Sequence, residues 1–154
     1  MPIHKFQRFV NYINRIMTIQ YHPELGTILI CDFKGLNAPE MTKRRPVIVV
    51  SPRFKHRTKL CTVVPLSTTA PAKVEQYHYK LHISPPLPEP YGSSHAWVKA
   101  DMLYTVAFDR LFLPFNKKDE SGKRDYDVRV VDKLDLIKIQ ECMIFGLGLN
   151  GLTS

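Results

Sequence analysis

The chain has 154 residues, of which 44% are hydrophobic and 23% are charged, and its formal net charge is +8. This composition is typical of one globular domain with a sizeable core, and it excludes a disordered polyelectrolyte. No apolar run reaches the roughly 18 residues that a membrane span needs, so we expect no membrane association.

Apolar residues near helical spacing predict an amphipathic helix from Pro2 to Arg15. Cations are scattered through this segment and it lacks a small-residue cleavage site, which argues against a signal peptide. We therefore expect residues 1–20 to form a helical extension of a single domain that spans residues 21–154.

From Gly26 the pattern changes to short segments of β-forming residues. In chain order, the predicted strands are GTILICDF, PVIVVS, LCTVVPL, YHYKLHI, HAWVKA, RLFLPF and DYDVRVV. We expect KGLNAPEMTKR and SPPLPEPYGSS to be loops and NKKDESGKR, residues 116–124, to be a mobile hairpin tip.

The last predicted element is a helix that begins after Asp132. Asp132 is a suitable N-cap, and the glycines at 146 and 148 are expected to end the helix. Leu134, Ile137, Ile139 or Gln140, and Ile144 fit a helix. Short strands, glycine and proline turns and a closing helix predict a mainly β protein with some α structure: a small antiparallel barrel or strongly curved sheet.

The positive charge is concentrated in one stretch. Between Met41 and Val74 the chain has eight of its 22 Lys and Arg residues and no Asp or Glu, so the other 14 cations balance the 14 acids. A localised excess indicates a polyanionic partner, with nucleic acid favoured over an acidic protein. The three cysteines, Cys31, Cys61 and Cys142, are far apart among apolar neighbours and indicate free thiols in a reducing compartment, so we expect a cytoplasmic protein.

Three groups of residues could perform chemistry on a phosphodiester. The first is Arg44–Arg45 at the entry of a strand, with Glu40 upstream. The second is the hydroxyl run Ser67, Thr68 and Thr69, and the third is Lys99 with Asp101, two apart and so on one face of an extended segment. The adjacent Asp109–Arg110 pair, at the start of another strand, is a further candidate. Cations, hydroxyls and carboxylates without a cluster of metal ligands indicate metal-independent phosphodiester chemistry and no cofactor.

Each group also has an ordinary structural explanation. Arg45 could pair with Glu40 or Asp101, the hydroxyls could be turn residues, and Lys99 and Asp101 could be a solvated ion pair. The segment from Arg53 to Lys59 could be a solvated hairpin tip or a contact to an RNA backbone.

The order GTILICDFKGLNAPEMTKRRPVIVVSP, VVPLSTT and VKADMLYTVAFDRL resembles the MazF/PemK toxins of bacterial type II toxin–antitoxin systems. The resemblance covers about Gly26 to Leu113. It implies an SH3-like barrel, a homodimer, and sequence-selective cleavage of single-stranded RNA without a metal. It also implies inhibition by a cognate antitoxin with an acidic, partly disordered tail.

Carried over by position, the resemblance implies that Arg45 contacts and activates the scissile phosphate. Ser67 takes the place of a catalytic threonine, and Asp101 and Lys99 match an acid/base aspartate and an arginine. Departures from the family pattern are serine at 67, lysine at 99, Met102 for a glutamine, and Ala38–Pro39 in the first loop. The residues that we expect to contact RNA besides these four are Glu40, Lys43, Arg44, Arg53, Lys55, Thr68 and Thr69, with Glu40 an alternative proton acceptor to Asp101.

Two other functions remain open at this point. A toxin of the same barrel could act on DNA gyrase, although such toxins depend on a C-terminal tryptophan and the single tryptophan here is Trp97. A non-catalytic nucleic-acid-binding barrel could keep the basic surface without cleaving RNA.

Overall fold

The computed structural model describes residues 2–5, 8, 18–116 and 118–152. Of the helix predicted from Pro2 to Arg15, residues 3–5 and Arg8 are helical and Pro2 is not; the remainder lies outside the described residues. The division into an extension, 1–20, and a domain, 21–154, stays a prediction.

An antiparallel sheet and a C-terminal helix make up the described fold, as the sequence predicts. The strands are β1 (Ile28–Asp32), β2 (Arg44–Val49), β3 (Leu60–Ser67), β4 (His78–His82), β5 (His95–Lys99), β6 (Tyr104–Ala107) and β7 (Leu111–Phe112). The helix α1 is Lys133–Gly146, and short 3₁₀ turns are Phe108–Arg110 and Asn150–Leu152.

Strand β3 organises the sheet because it pairs with three neighbours. One edge pairs with β2 through residues 63–65. The other edge pairs first with β6, through residues 60–63, and then with β5, through Leu66 and Ser67. The remaining order continues from β5 to β4 on one side and from β2 to β1 and β7 on the other. The sheet therefore divides at the end of β3, and this division creates the site described below.

Both faces of the central strands are buried. Ile48 packs in a core shared with β4, β5 and α1, whereas its neighbours Val47 and Val49 pack in a second core around Phe33 and Leu111. Two-sided burial requires apolar residues at successive positions, which explains the uninterrupted run PVIVV. The same burial keeps β2 rigid behind its two N-terminal arginines.

The structure corrects four details of the sequence prediction. Strand β2 begins at Arg44, so both arginines belong to the strand and not to the preceding loop. Strand β6 was not predicted, because its four residues are only partly buried and lack a clear pattern. The segment RLFLPF forms only the two-residue β7, and DYDVRVV makes only isolated bridges, Thr27 with Val130 and Phe115 with Tyr126.

Helix α1 begins as predicted, and of the predicted apolar positions it buries Ile139 but not Leu134. The Asp132 side chain accepts a hydrogen bond from the Asp135 N–H at 2.8 Å, which satisfies an otherwise free amide of the first turn. Its buried residues are Ile139 and Cys142, whereas Leu134 is 76% exposed and Ile137 40% exposed. The helix therefore presents apolar side chains on its outer face as well as to the core.

Candidate functional site

A groove of about 140 Å³ opens at the end of β3, where the pairing of β3 with β2 stops and its pairing with β5 begins. Its floor is apolar and belongs to the core. Its polar and charged lining residues are Arg44, Arg45, Ser67, Thr68, Tyr91 and Ser93. The two arginines, Ser67 and Thr68 are predicted site residues, so the structure brings the first two predicted groups together.

Arg45 is positioned by the register of three strands. It pairs with Cys31 of β1. Because Val47 pairs with Pro65 in β3, the same register places Arg45 across from Ser67, beyond the last paired residues. Its Nε is buried and has no hydrogen-bond partner within the described part of the chain. A buried donor of this kind is uncommon, since it loses its bonds to water without replacement.

Arg44 is exposed and already engaged. Its Nε lies 3.4 Å from Oδ2 of Asp32, and its guanidinium lies 5.0 Å from the centroid of the Phe112 ring. Neither Glu40 nor Asp101 forms an ion pair with Arg45, so the structural explanation that pairs Arg45 with one of them is not supported. Of the two neighbouring arginines, Arg45 is the one left to bind something from outside.

Ser67 is buried at the end of β3, and its hydroxyl is oriented by the backbone. The N–H of Thr69 donates to Ser67 Oγ at 3.2 Å, as in a Ser/Thr turn. Because this bond uses a lone pair of the oxygen, the hydroxyl proton remains available for donation into the groove. Thr68 lines the groove, whereas Thr69 is exposed beside it and acts through its N–H.

The loop between β4 and β5, residues 83–94, forms the opposite wall and was missed as a contributor to the site. It supplies the apolar Ile83 and Leu87 as well as Pro90, Tyr91 and Ser93. Burial raises the pKa of Tyr91, while the charge of Arg44 opposes this shift, so the phenol is a neutral donor near neutral pH. The signal available in the sequence was the loop's length, since a connection this long between paired strands is often functional.

Glu40 and Lys43 lie on the approach to β2 but do not line the groove. Both are exposed. The backbone N–H of Glu40 donates to the carbonyl of Asn37 at 2.9 Å, and its carboxylate lies at the limit of a hydrogen bond to the Asn37 N–H, 3.5 Å. Glu40 therefore stabilises its own turn in this structure.

Lys99 and Asp101 are not among the groove-lining residues either. Val98 and Ala100 point into the core, so Lys99 between them points to the other face of β5. Asp101 is exposed in the turn after β5, and it forms no ion pair with Lys99. Its backbone is held against Gly146 of α1, where an added Cβ would lie 2.9 Å from Asp101 Cα. Their predicted acid/base role stays a prediction.

Arg53 and Lys55 lie at the opposite end of the β2–β3 hairpin from the groove. Six residues of extended chain separate Arg45 from Ser51, which is roughly 20 Å. The single basic stretch of the sequence therefore forms two separate basic regions, one at each end of the hairpin.

Arg110 has a structural role. Its Nη1 donates to the carbonyls of Asp32 and Lys34, at 3.0 and 2.7 Å. These bonds hold the chain that leaves β1, and with it the Asp32 carboxylate beside Arg44. The predicted Asp109–Arg110 pair thus supports the groove from outside.

Among the residues described, no three His, Cys, Asp or Glu side chains come together as a metal site. Within the same residues, no helix has the length and apolar character needed to cross a membrane.

A family model for PemK-like, MazF-like toxins of type II toxin–antitoxin systems matches residues 24–137. No curated protein sequence matches the chain significantly. The fold is similar to an endoribonuclease in complex with its cognate antitoxin from a mycobacterial species: TM-score 0.55, 22% identity, 82% of this chain and 96% of the other covered. MazF from Deinococcus radiodurans gives 0.54 and 21%, with 84% and 99% covered. A MazE–MazF structure from the same organism gives 0.51 and 20%, with 85% and 100% covered.

Proposed function

As the chain belongs to the PemK-like, MazF-like toxin family of type II toxin–antitoxin systems, we propose that it is an endoribonuclease that cleaves single-stranded RNA at short recurring sequences. Its substrate would be cellular mRNA, so the site of action is the cytoplasm. The solved structures of similar fold include proteins named as endoribonucleases, which supports this activity.

One observation supports the proposal most directly: Arg45 lines the groove together with Ser67, and its buried Nε–H has no hydrogen-bond partner among the described residues. A phosphodiester has two non-bridging oxygens that accept from such donors, and arginine can bind them through two parallel hydrogen bonds. The groove therefore has the donors that a phosphodiester needs, held on a strand with two buried faces.

We propose the following reaction. The ribose 2′-oxygen attacks the adjacent phosphorus while the bond from phosphorus to the 5′-oxygen breaks, leaving a 2′,3′-cyclic phosphate and a 5′-hydroxyl. The 2′ proton passes to a base, and the leaving 5′-oxygen takes a proton from an acid or from water. Arg45 stabilises the charge that develops on the phosphorane, and Ser67 donates its hydroxyl proton to a non-bridging oxygen.

Asp101 is the proposed proton acceptor, by its position in the family pattern. Asp32 is the alternative that we test beside it, because its Oδ2 lies 3.4 Å from Nε of the groove-lining Arg44. Separate asparagine substitutions at the two positions decide between them, because only loss of the true base moves the acidic limb of the pH–rate profile.

We further propose that the protein is a homodimer inhibited by an antitoxin with an acidic segment. The apolar residues on the outer face of α1, including Leu134 and Ile137, are suited to a protein–protein interface. The groove cations would attract the acidic segment, which would then exclude RNA.

The decisive experiment is to incubate the purified protein in EDTA with a long single-stranded RNA, beside its Arg45→Ala variant. Cleavage at a recurring short sequence by the wild type, and its loss in the variant, would support the proposal. A 2′-deoxy substitution at the cut site should abolish cleavage there. RNA that is bound but never cut would refute the enzyme and leave a binding protein.

A further inference from the structure

The hairpin that connects β2 to β3 ends in a concentrated positive charge far from the groove. We call residues 53–59, RFKHRTK, the basic tip. Its cationic residues are Arg53, Lys55, Arg57 and Lys59, and His56 lies among them. None of them forms an ion pair with a carboxylate in residues 18–116 or 118–152. Asp109 is close along the fold, since the N–H of Phe108 donates to the carbonyl of Lys59, but it pairs with none of them.

Part of this surface is ordered and includes an exposed aromatic ring. Nη2 of Arg57 donates to Ser51 Oγ at 3.0 Å and lies 3.4 Å from Thr62 Oγ1. Ser51 is buried and also accepts from the N–H of Thr62 at 3.0 Å, so Arg57 is fixed to the ends of β2 and β3. The Arg57 guanidinium lies 5.0 Å from the centroid of the Phe54 ring, and Phe54 is 49% exposed.

This combination fits single-stranded nucleic acid better than an acidic peptide. Phosphates would neutralise the unpaired cations. An exposed aromatic ring beside an ordered guanidinium provides a stacking surface for a base, and every base has a face to stack. An acidic peptide would use the cations alone and leave Phe54 without a partner.

We propose that the basic tip binds RNA that flanks the cleavage site, as a second contact separate from the groove. This inference rests on the proposed function, because it takes the strand in the groove to be RNA. The tip lies roughly 20 Å from Arg45. At about 3.4 Å per nucleotide of stacked strand, an RNA must extend about six nucleotides beyond the cut to reach it.

The test compares two RNAs with one cleavage sequence, one with three flanking nucleotides on each side and one with fifteen. The variant is Arg53→Ala/Lys55→Ala. The matched control is Lys118→Ala/Lys123→Ala, which removes the same charge from a different exposed segment. KM, kcat and equilibrium binding are measured from low to high salt, with binding repeated in the Arg45→Ala background.

For the tip variant, we expect KM on the long RNA to rise about tenfold at 0.1 M salt and to approach the KM of the short RNA. The slope of log affinity against log salt should fall by about 1.4, the value for two phosphate contacts on a single strand. Phe54→Ala should also weaken binding of the long RNA, but with less change in the salt slope, because stacking carries no charge.

The inference is overturned if the tip variant binds the long RNA as tightly as the wild type does. It is also overturned if the variant's affinity for the short RNA and for the long RNA falls by the same factor. An equal effect of the control variant would also overturn it, since the cause would then be net charge. Failure of the wild type to cut any RNA refutes the proposed function instead, and the binding measurements still decide whether the tip contacts the longer strand.

Discussion

Arg45→Ala should separate catalysis from stability, because the two effects have opposite signs. The guanidinium presents a buried Nε–H that has no partner in the described structure. Leaving such a donor unsatisfied costs about 1–3 kcal/mol. Truncation removes this penalty but also removes packing of the aliphatic stem, which partly offsets the gain. We therefore expect the free energy of unfolding to stay within about 1 kcal/mol of the wild type, or to rise.

The same substitution should almost abolish cleavage. Loss of one preorganised donor to a developing oxyanion lowers kcat by about 10²–10³, or roughly 3–4 kcal/mol. Arg45→Lys should recover part of the rate, because it keeps the charge but not the planar pair of donors. Arg44→Ala is the neighbouring comparison: its exposed ion pair with Asp32 contributes at most about 1 kcal/mol to stability. Because Arg44 also lines the groove, its loss should raise KM for RNA but lower kcat far less than Arg45→Ala does.

The assay combines initial cleavage rates in EDTA with urea unfolding of each variant. A loss of stability of more than about 2 kcal/mol in Arg45→Ala would refute the reasoning, since Arg45 would then be a structural residue of the β2 entry. Full activity in a folded Arg45→Ala variant would refute the catalytic role of Arg45.

Five further residues give four more tests. Ser67→Ala should lower kcat about 10²-fold with Ser67→Thr close to wild type, and equal rates for the two variants would contradict the hydroxyl's role. Asp101→Asn should remove the acidic limb of the pH–rate profile, whereas a change in KM alone would exclude it as the base. Asp132→Ala should lower the free energy of unfolding by about 1 kcal/mol in urea, whereas Asp132→Asn should be nearly neutral. An equal loss in both variants would contradict the capping role of Asp132. Burial raises the pKa of Cys31 to about 12 and of Cys61 to about 11. The unfolded chain therefore loses these protons at a lower pH than the folded chain, so stability should be complete below pH 9 and fall above it by about 1.4 kcal/mol per thiol per pH unit. An unchanged urea midpoint at pH 10 would disprove this prediction.

Most of the sheet could be predicted because burial leaves a clear pattern in the sequence. The runs around Ile30, Ile48 and Val64 are apolar without interruption because both of their faces are covered. The prediction was wrong where residues are partly exposed, because such segments lack this pattern. It omitted strand β6 and assigned a strand to residues 125–131. The buried face of α1 was only partly predicted, because Leu134 and Ile137 on its outer side are apolar like the buried Ile139.

The candidate site was predicted in its residue types and only partly in its geometry. Arg45 and Ser67 were identified, since a strand entry and a strand end can be located along the chain. That they lie together depends on the register between β2 and β3, which involves residues far apart in sequence. Tyr91 was missed for the same reason, because a long loop can fold to either side of the strands that it joins.

The sequence by itself determined most of the segments that become strands, where α1 begins and how much positive charge the chain carries, because these follow from local burial patterns, capping chemistry and composition. Only the tertiary structure decided how that charge is divided. A hairpin turns the chain back on itself, so one basic stretch ends as two regions roughly 20 Å apart. It also decided that Arg45 lines the groove and Lys99 does not, because the register of β2 on β3 places Arg45 across from Ser67 at the end of β3.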